Sequence, residues 1–390
     1  MAVLYGRGGP DGNKRAGRGL GTRMATAAFT AEPAADAATR VRLWRPKRLL
    51  VTPSALGWDH GRAMVERVAA LGVEVVELPS DRVKLDLPDD PRRQYAEAKA
   101  TLALVVASPS KRRLQPIAPS ADWRVDLAEG CPAHCNYCYL AGSLKGPPIT
   151  RVYANLPEIF AELPKHLGQG TITSRSRHRA HEGTTYEASC YTDPLGLEHV
   201  TGSLSALIGY VGDWDADAQL RFTTKFAGVD PLLGLEHRGK TRMRVSLNPK
   251  PYARFEGGTS PVAQRIEAMR RVAQAGYKVG LTIAPIIAAP GWEEAYGGLI
   301  ADVGRALEGL DPDLTVELIT HRYTDASKAV LDSWYPGSAL DMGAEGRTQK
   351  RTKFGAVKHV YDKDVMRSLR QFFEAEIAAR LPQAHILYWT

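Results

Sequence analysis

From about Trp123 to His321 the chain alternates strand-like and helix-like segments, and no other feature limits its fold as much. The strand-like segments are Trp123–Leu127, Thr185–Ser189, Leu220–Thr224, Arg242–Leu247, Val279–Ile286 and Thr315–Ile319. Helical spacing fills the gaps, as in Pro261–Ala275 and Trp292–Leu310. Alternation of this kind predicts an α/β fold built on a parallel sheet. About six repeats suit a partial (β/α)6 barrel better than a closed barrel of eight. In either case the chemistry is expected at the C-terminal ends of the strands.

The flanks read differently. Residues 1–43 contain GRGGPDGNKRAGRG and no apolar period, so a solvated Gly/Arg tail is expected. Residues 44–117 read as a small N-terminal α/β domain. Strand-like Arg48–Val51 is followed by a helix with Met64, Val65, Val68 and Leu71 on one face. Gly72 stops it, and strand-like Val73–Leu78 and Leu102–Val106 surround a short helical stretch at Ala96–Ala100. Residues 118–345 are assigned to the partial barrel. Residues 346–390 form a C-terminal extension, with a basic stretch Arg347–Lys353, a helix Asp362–Leu381 and a strand His385–Trp389.

A hydrophobic content of 44% over 390 residues supports a full core. The longest apolar run, near Ile283–Ala289, is too short to span a bilayer. No signal-peptide pattern is present, and four cysteines do not make a secreted disulfide framework, so a cytoplasmic location with reduced thiols is expected. A net charge of +8 suits a polyanionic partner and equally suits many basic enzymes.

Cys131, Cys135 and Cys138 lie in CPAHCNYCYL, just after the first strand of the series, with C-x3-C-x2-C spacing. Three thiolates at this pitch can hold an iron–sulfur cluster and leave one iron open for a substrate or cofactor. Zinc sites usually carry a second Cys or His pair, which is lacking here, so a zinc-stabilised nucleic-acid binding protein stands as the alternative from another class. The fourth cysteine, Cys190, ends YEASC. A buried structural thiol is the ordinary reading for it, but the polar Tyr191-Thr192-Asp193 that follows places it at a strand's C-terminal end.

Longer blocks narrow the reading. AEGCPAHCNYCYL, YEASCYTDPLGLEHVTGSL, RFTTKFAGVDPLL, HRGKTRMRVSLN, FEGGTSPVAQRIEA, APIIAAPGWEEAY, ELITHRYT and ILYWT occur in this order from about residue 48 to the C-terminus. This series resembles the spore photoproduct lyase family of the radical S-adenosylmethionine (SAM) superfamily. The resemblance implies a TIM-like radical SAM partial barrel and a DNA repair lyase. Such an enzyme reverts 5-thyminyl-5,6-dihydrothymine to two thymines through a 5′-deoxyadenosyl radical. A radical SAM enzyme of the same family acting on another nucleic-acid lesion or base is the alternative.

The resemblance also implies a 4Fe–4S cluster on Cys131, Cys135 and Cys138, and SAM bound by Thr192, Lys225, Ser246 and Ala284. Lys225 would meet the SAM carboxylate, and Ala284 would lie along the adenosine. The family has Ser where Thr192 stands. Cys190 would donate a hydrogen atom to the product radical, and Tyr139 and Tyr137 would return hydrogen to deoxyadenosine. A hairpin in QKRTKFGAVKHVY would push the lesion out of the duplex. The family's Arg-Tyr pair stands here as Lys353-Phe354, beside Arg351, and Phe can still wedge or stack. The basic loop at residues 174–183 is an insertion relative to the family. The implied partners are DNA containing a thymine lesion and an electron donor such as flavodoxin or ferredoxin.

Overall fold

The computed structural model describes residues 41–143, 146–170, 172, 179–351, 355 and 357–390. Most of the 1–43 tail, residues 174–178 of the 174–183 loop, and Lys353 and Phe354 lie outside the described residues. Residues Val41–Thr390 form one compact unit.

The strands, in chain order, are β1 (Arg48–Val51), β2 (Glu74–Glu77), β3 (Thr101–Val105), β4 (Gln115–Ile117), β5 (Ala121–Val125), β6 (Ala128–Glu129), β7 (His134–Cys135), β8 (Thr150–Tyr153) and β9 (Thr184–Ala188). They continue as β10 (Ala218–Thr224), β11 (Thr241–Leu247), β12 (Glu256–Gly257), β13 (Lys278–Ile286), β14 (Thr315–Thr320), β15 (Tyr323–Thr324), β16 (Arg347–Arg351), β17 (Val357–Tyr361) and β18 (His385–Trp389). The longer helices are α1 (Asp59–Ala70), α2 (Pro91–Lys99), α3 (Pro194–Thr201), α4 (Ser203–Asp213), α5 (Val262–Gln274), α6 (Trp292–Ala306), α7 (Asp325–Trp334) and α8 (Lys363–Arg380).

The main sheet runs β18-β14-β13-β11-β10-β9-β5-β4. Every neighbouring pair is parallel except β4–β5. The six strands expected from periodicity are its centre. Period-2 patterning explains its two faces. Phe222, Met243, Val245, Leu281 and Val316 are fully buried in the hydrophobic core beneath the helices. Glu187, Arg221, Arg244, Ser246, Thr282 and Glu317 alternate with these apolar positions and form the opposite face.

That polar face is concave. Arg244 on β11 pairs with Glu187 on β9 at 2.5 Å and Glu317 on β14 at 2.8 Å, and also reaches Ser120 ahead of β5 at 2.5 Å. One guanidinium thus meets strands two places away on both sides. The sheet is a partial barrel, with β4 and β18 as its edges.

A second sheet runs β2-β1-β3-β8-β6. Its β8 and β6 come from beyond residue 117, while β4, from before that residue, joins the barrel sheet. The terminal strand β18 also pairs with the barrel through β14. The boundaries at 117/118 and 345/346 are therefore crossed by strands. Composition marks those boundaries, but pairing follows whichever sheet edge is open.

Candidate active site

Successive strand ends converge on one cavity of about 500 Å3. Cys190 follows β9, Lys225 follows β10, Ser246 lies in β11 and Ala284 in β13. All four line the cavity, as do Thr192, Cys131 and Cys135. Residues spread over more than 150 positions of sequence thus share one chamber.

The cysteine loop leaves the second sheet after β6, runs through β7 and rejoins the same sheet at β8. Its β7 pairs with β12, so His134 faces Gly257 and Cys135 faces Glu256. Gly258 takes a φ of +74°, and a Cβ there would stand 2.9 Å from the His134 ring. Glycine is required at this contact both for its conformation and for the close approach. Asn136 N donates to Phe255 O at 2.9 Å, which fastens the same edge. From the other side, the Lys99 ammonium donates to Cys131 O and to Ala133 O.

Cys131, Cys135, Cys138 and Cys190 are all free and partly buried. Burial pushes the Cys131 thiol up to about 11, against the opposing charge of Lys99. Among the described residues no three His, Cys, Asp or Glu side chains converge closely enough for a single metal ion. Three partly buried cysteines on one loop are the donor chemistry that a three-thiolate iron–sulfur cluster takes.

Lys225 ties three of the strand ends together. Its Nζ donates to Ser246 Oγ at 2.7 Å, Glu256 Oε1 at 2.9 Å and Ala284 O at 3.0 Å. Glu256 also accepts from Asn248 at 3.0 Å, Arg265 at 2.6 Å and the Tyr137 hydroxyl. Burial alone would raise the Glu256 carboxyl, but Lys225 and Arg265 beside it hold it at about 2. Asp193 caps α3 through Gly196 N, and accepts from Thr224 Oγ1 at 2.8 Å and Lys225 N at 2.6 Å. Next to it, the Thr192 hydroxyl is buried without a protein partner and lines the cavity. An orphaned buried hydroxyl there suits a polar ligand.

Cys190 is turned by Ser189, which follows β9 with a φ of 54°, a left-handed conformation rare outside glycine. Ser189 is held there by Ser189 N to Val125 O at 2.7 Å and by Leu127 N to Ser189 Oγ at 2.8 Å. Burial pushes the Cys190 thiol up to about 12, so it keeps its S–H through the neutral range.

Tyr137, Tyr139, Cys138 and Arg351 do not line this cavity. Tyr137 is buried, and burial followed by the Glu256 charge raises its phenol well above the usual value. Tyr139 is 43% exposed. It lines a neighbouring cavity of about 630 Å3 together with Arg322, Lys350, Arg351 and Lys358. Arg322 and Thr390 line both cavities, so the two abut.

Sequence reading missed Glu256, Asn248, Asp193 and the Arg244–Glu187–Glu317 cluster. A signal existed for the last of these: TRMRVSL places Arg242, Arg244 and Ser246 at every second position, marking a polar face inside the sheet.

Glu256→Gln leaves Lys225 and Arg265 buried without their counter-charge. A loss of about 3–5 kcal/mol is expected in chemical denaturation at neutral pH. Because the folded carboxyl lies at about 2, below its ordinary 4.5, its stabilisation is complete above about pH 4.5. It is lost as pH falls toward 2, so the wild-type and variant curves should converge there.

A family model described as spore photoproduct lyase matches residues 44–390. The spore photoproduct lyase of Geobacillus sp. (strain Y412MC61) is 38% identical over 348 residues, covering 88% of this chain and 98% of the relative. That of Bacillus subtilis (strain 168) is 37% identical with the same coverage. A solved variant of spore photoproduct lyase, with bound AdoMet and dinucleoside spore photoproduct, superposes with a TM-score of 0.82. It is 36% identical, over 90% of this chain and all of that one.

Proposed function

The chain belongs to the spore photoproduct lyase family, and from that membership we infer that it reverts spore photoproduct in DNA to two thymines as a radical SAM lyase. The observation that carries this reading is the single cavity in which Cys131 and Cys135 meet Cys190, Lys225 and Ser246. Cys131, Cys135 and Cys138 would hold a 4Fe–4S cluster, and Thr192, Lys225, Ser246 and Ala284 would hold SAM beside it. When bound and given one electron by a flavodoxin- or ferredoxin-type donor, these groups supply a 5′-deoxyadenosyl radical.

The chain's own residues then have distinct tasks. Lys225 presents a cation to the SAM carboxylate while Glu256 balances its charge. Thr192 and Ser246 offer hydroxyls. Cys190 gives a hydrogen atom to the opened lesion: its S–H bond breaks, a C–H bond forms on the thymine, and a thiyl remains. A thiol suits this step because S–H is the weaker bond. Tyr139 and Tyr137 carry hydrogen on the return path.

Arg351 and its neighbours grip DNA. Lys350 and Lys358 stand directly opposite each other on β16 and β17, a pairing of like charges that is unfavourable alone. Burial, Arg322 and Lys350 all lower the Lys358 pKa. Among the described residues, no Asp or Glu lines this cavity. A phosphodiester next to the lesion supplies the missing anion. Lys358→Gln should therefore weaken binding of lesion-containing oligonucleotide and lower its salt slope by about 1. Turnover of the dinucleoside lesion, which has no phosphate, should be unchanged; equal losses on both substrates would count against a phosphate contact. Among the described residues, no helix is long and apolar enough to cross a membrane.

The test of the whole reading is anaerobic reconstitution followed by incubation with SAM, dithionite and dinucleotide spore photoproduct. Two thymines are expected. Free deoxyadenosine with unchanged lesion would point to another substrate.

A further inference from the structure

Lys99 is a buried cation without a buried anion. It ends α2, is only 6% exposed, and forms no ion pair with any carboxylate among the described residues. Its ammonium is spent on two backbone carbonyls of the cysteine loop, Cys131 O and Ala133 O, the latter at 2.5 Å. Lysine is almost never this buried unless paired, because an uncompensated ammonium costs several kcal/mol in a protein interior. Two carbonyl dipoles satisfy its hydrogen bonds and leave its net charge unmet.

The same helix face makes a second contact. Tyr95, one turn earlier at i−4, places its hydroxyl 3.1 Å from His134 Nδ1 and also meets the Tyr335 hydroxyl on the far side. The Tyr95 ring stacks on Trp334 at 4.5 Å between centroids. Through Tyr95 and Lys99, α2 thus grips the loop from Cys131 to His134. A purely mechanical clamp would need no charge at its second point.

We propose that Lys99 is the counter-charge of the three-cysteine site, a positioning residue that raises the reduction potential of the cluster held there. This rests on reading Cys131, Cys135 and Cys138 as the cluster's ligands. A 4Fe–4S cluster on three thiolates is net negative, and one electron from an external low-potential donor makes it one unit more negative. A fixed cation beside the loop favours the more negative state, so reduction becomes easier. No bond to Lys99 forms or breaks.

The test compares full-length native protein with Lys99→Gln and Lys99→Arg, each reconstituted anaerobically. Iron and sulfide are counted, and the cluster is titrated with dithionite under EPR detection. The glutamine amide can still donate to both carbonyls but carries no charge, whereas arginine keeps the charge. Lys99→Gln is expected to bind iron and sulfide as the native protein does. At a fixed solution potential its reduced-to-oxidised ratio should fall about tenfold, equivalent to about 59 mV for one electron. Lys99→Arg should titrate close to native. Uptake of cluster by Lys99→Arg but not by Lys99→Gln would also support the counter-charge.

A native-like potential in Lys99→Gln, equal shifts in both variants, or loss of cluster from both would overturn it in favour of a tether. If the native protein itself takes up no cluster, the ligand assignment fails, and that outcome is separable from the role given to Lys99.

Discussion

Cys190→Ala, reconstituted and supplied with SAM, reductant and dinucleotide spore photoproduct, is expected to keep producing 5′-deoxyadenosine while its yield of two thymines collapses to a minor product. Cys190 lines the cavity from the turn after β9, more than 50 positions beyond the cysteine loop in sequence. Removing its sulfur leaves Lys225, Ser246 and the three loop cysteines in place. What is lost is the S–H that burial keeps protonated. The opened lesion must then take hydrogen or another group from solvent or reductant, and the products should shift to adducts that mass spectrometry resolves. A normal thymine yield would remove Cys190 from the hydrogen-donor role. Because the thiol lies near pKa 12, the yield in the native enzyme should show no dependence on this group between pH 6 and 9.

Cys135→Ala should have the larger effect on the early chemistry. Cys135 lies in β7, paired with Glu256 of β12, and faces the cavity beside Lys225. Without it two loop cysteines remain, too few to hold three corners of a cluster. Iron and sulfide content should fall to background after reconstitution, and SAM cleavage and lesion repair should both vanish. The fold should survive, because β7 is a two-residue strand outside both large sheets, and far-UV circular dichroism should be unchanged. Full SAM cleavage in this variant would exclude Cys135 as a ligand. The pair of variants separates the start of the reaction from its end: one abolishes deoxyadenosine, the other leaves it.

Much of this was legible before the structure. The six central strands lie within a residue or two of where period-2 patterning put them, as with Thr315–Ile319 against β14 at Thr315–Thr320. Helix α5 matches to one residue at each end, and α6 starts where expected but stops at Ala306, four residues before Leu310; each has one apolar stripe against the sheet. The residues singled out as SAM contacts do share a chamber, because each falls at the C-terminal end of a parallel strand.

The failures have one cause. Tyr137 and Glu256 are 119 positions apart, and Lys99 and Cys131 are 32 apart. Nothing in local periodicity says that FEGG will lie against the cysteine loop, or that α2 will close on it from the other side. The choice of sheet for β4, β8 and β18 was hidden for the same reason. A short strand carries its pattern in its own residues, but its partner is set by which edge the rest of the fold leaves unpaired.

The sequence by itself determined the fold class, the family and the three-cysteine motif, because alternation, block order and thiol spacing are local and survive without coordinates. Tertiary structure decided the electrostatics. It placed Glu256 between Lys225 and Arg265, left the Thr192 hydroxyl bare in the cavity, and buried the Lys99 charge against the cysteine loop. Charges interact through space and through the dielectric around them, so their effect depends on distance and burial, and those exist only once the chain has folded.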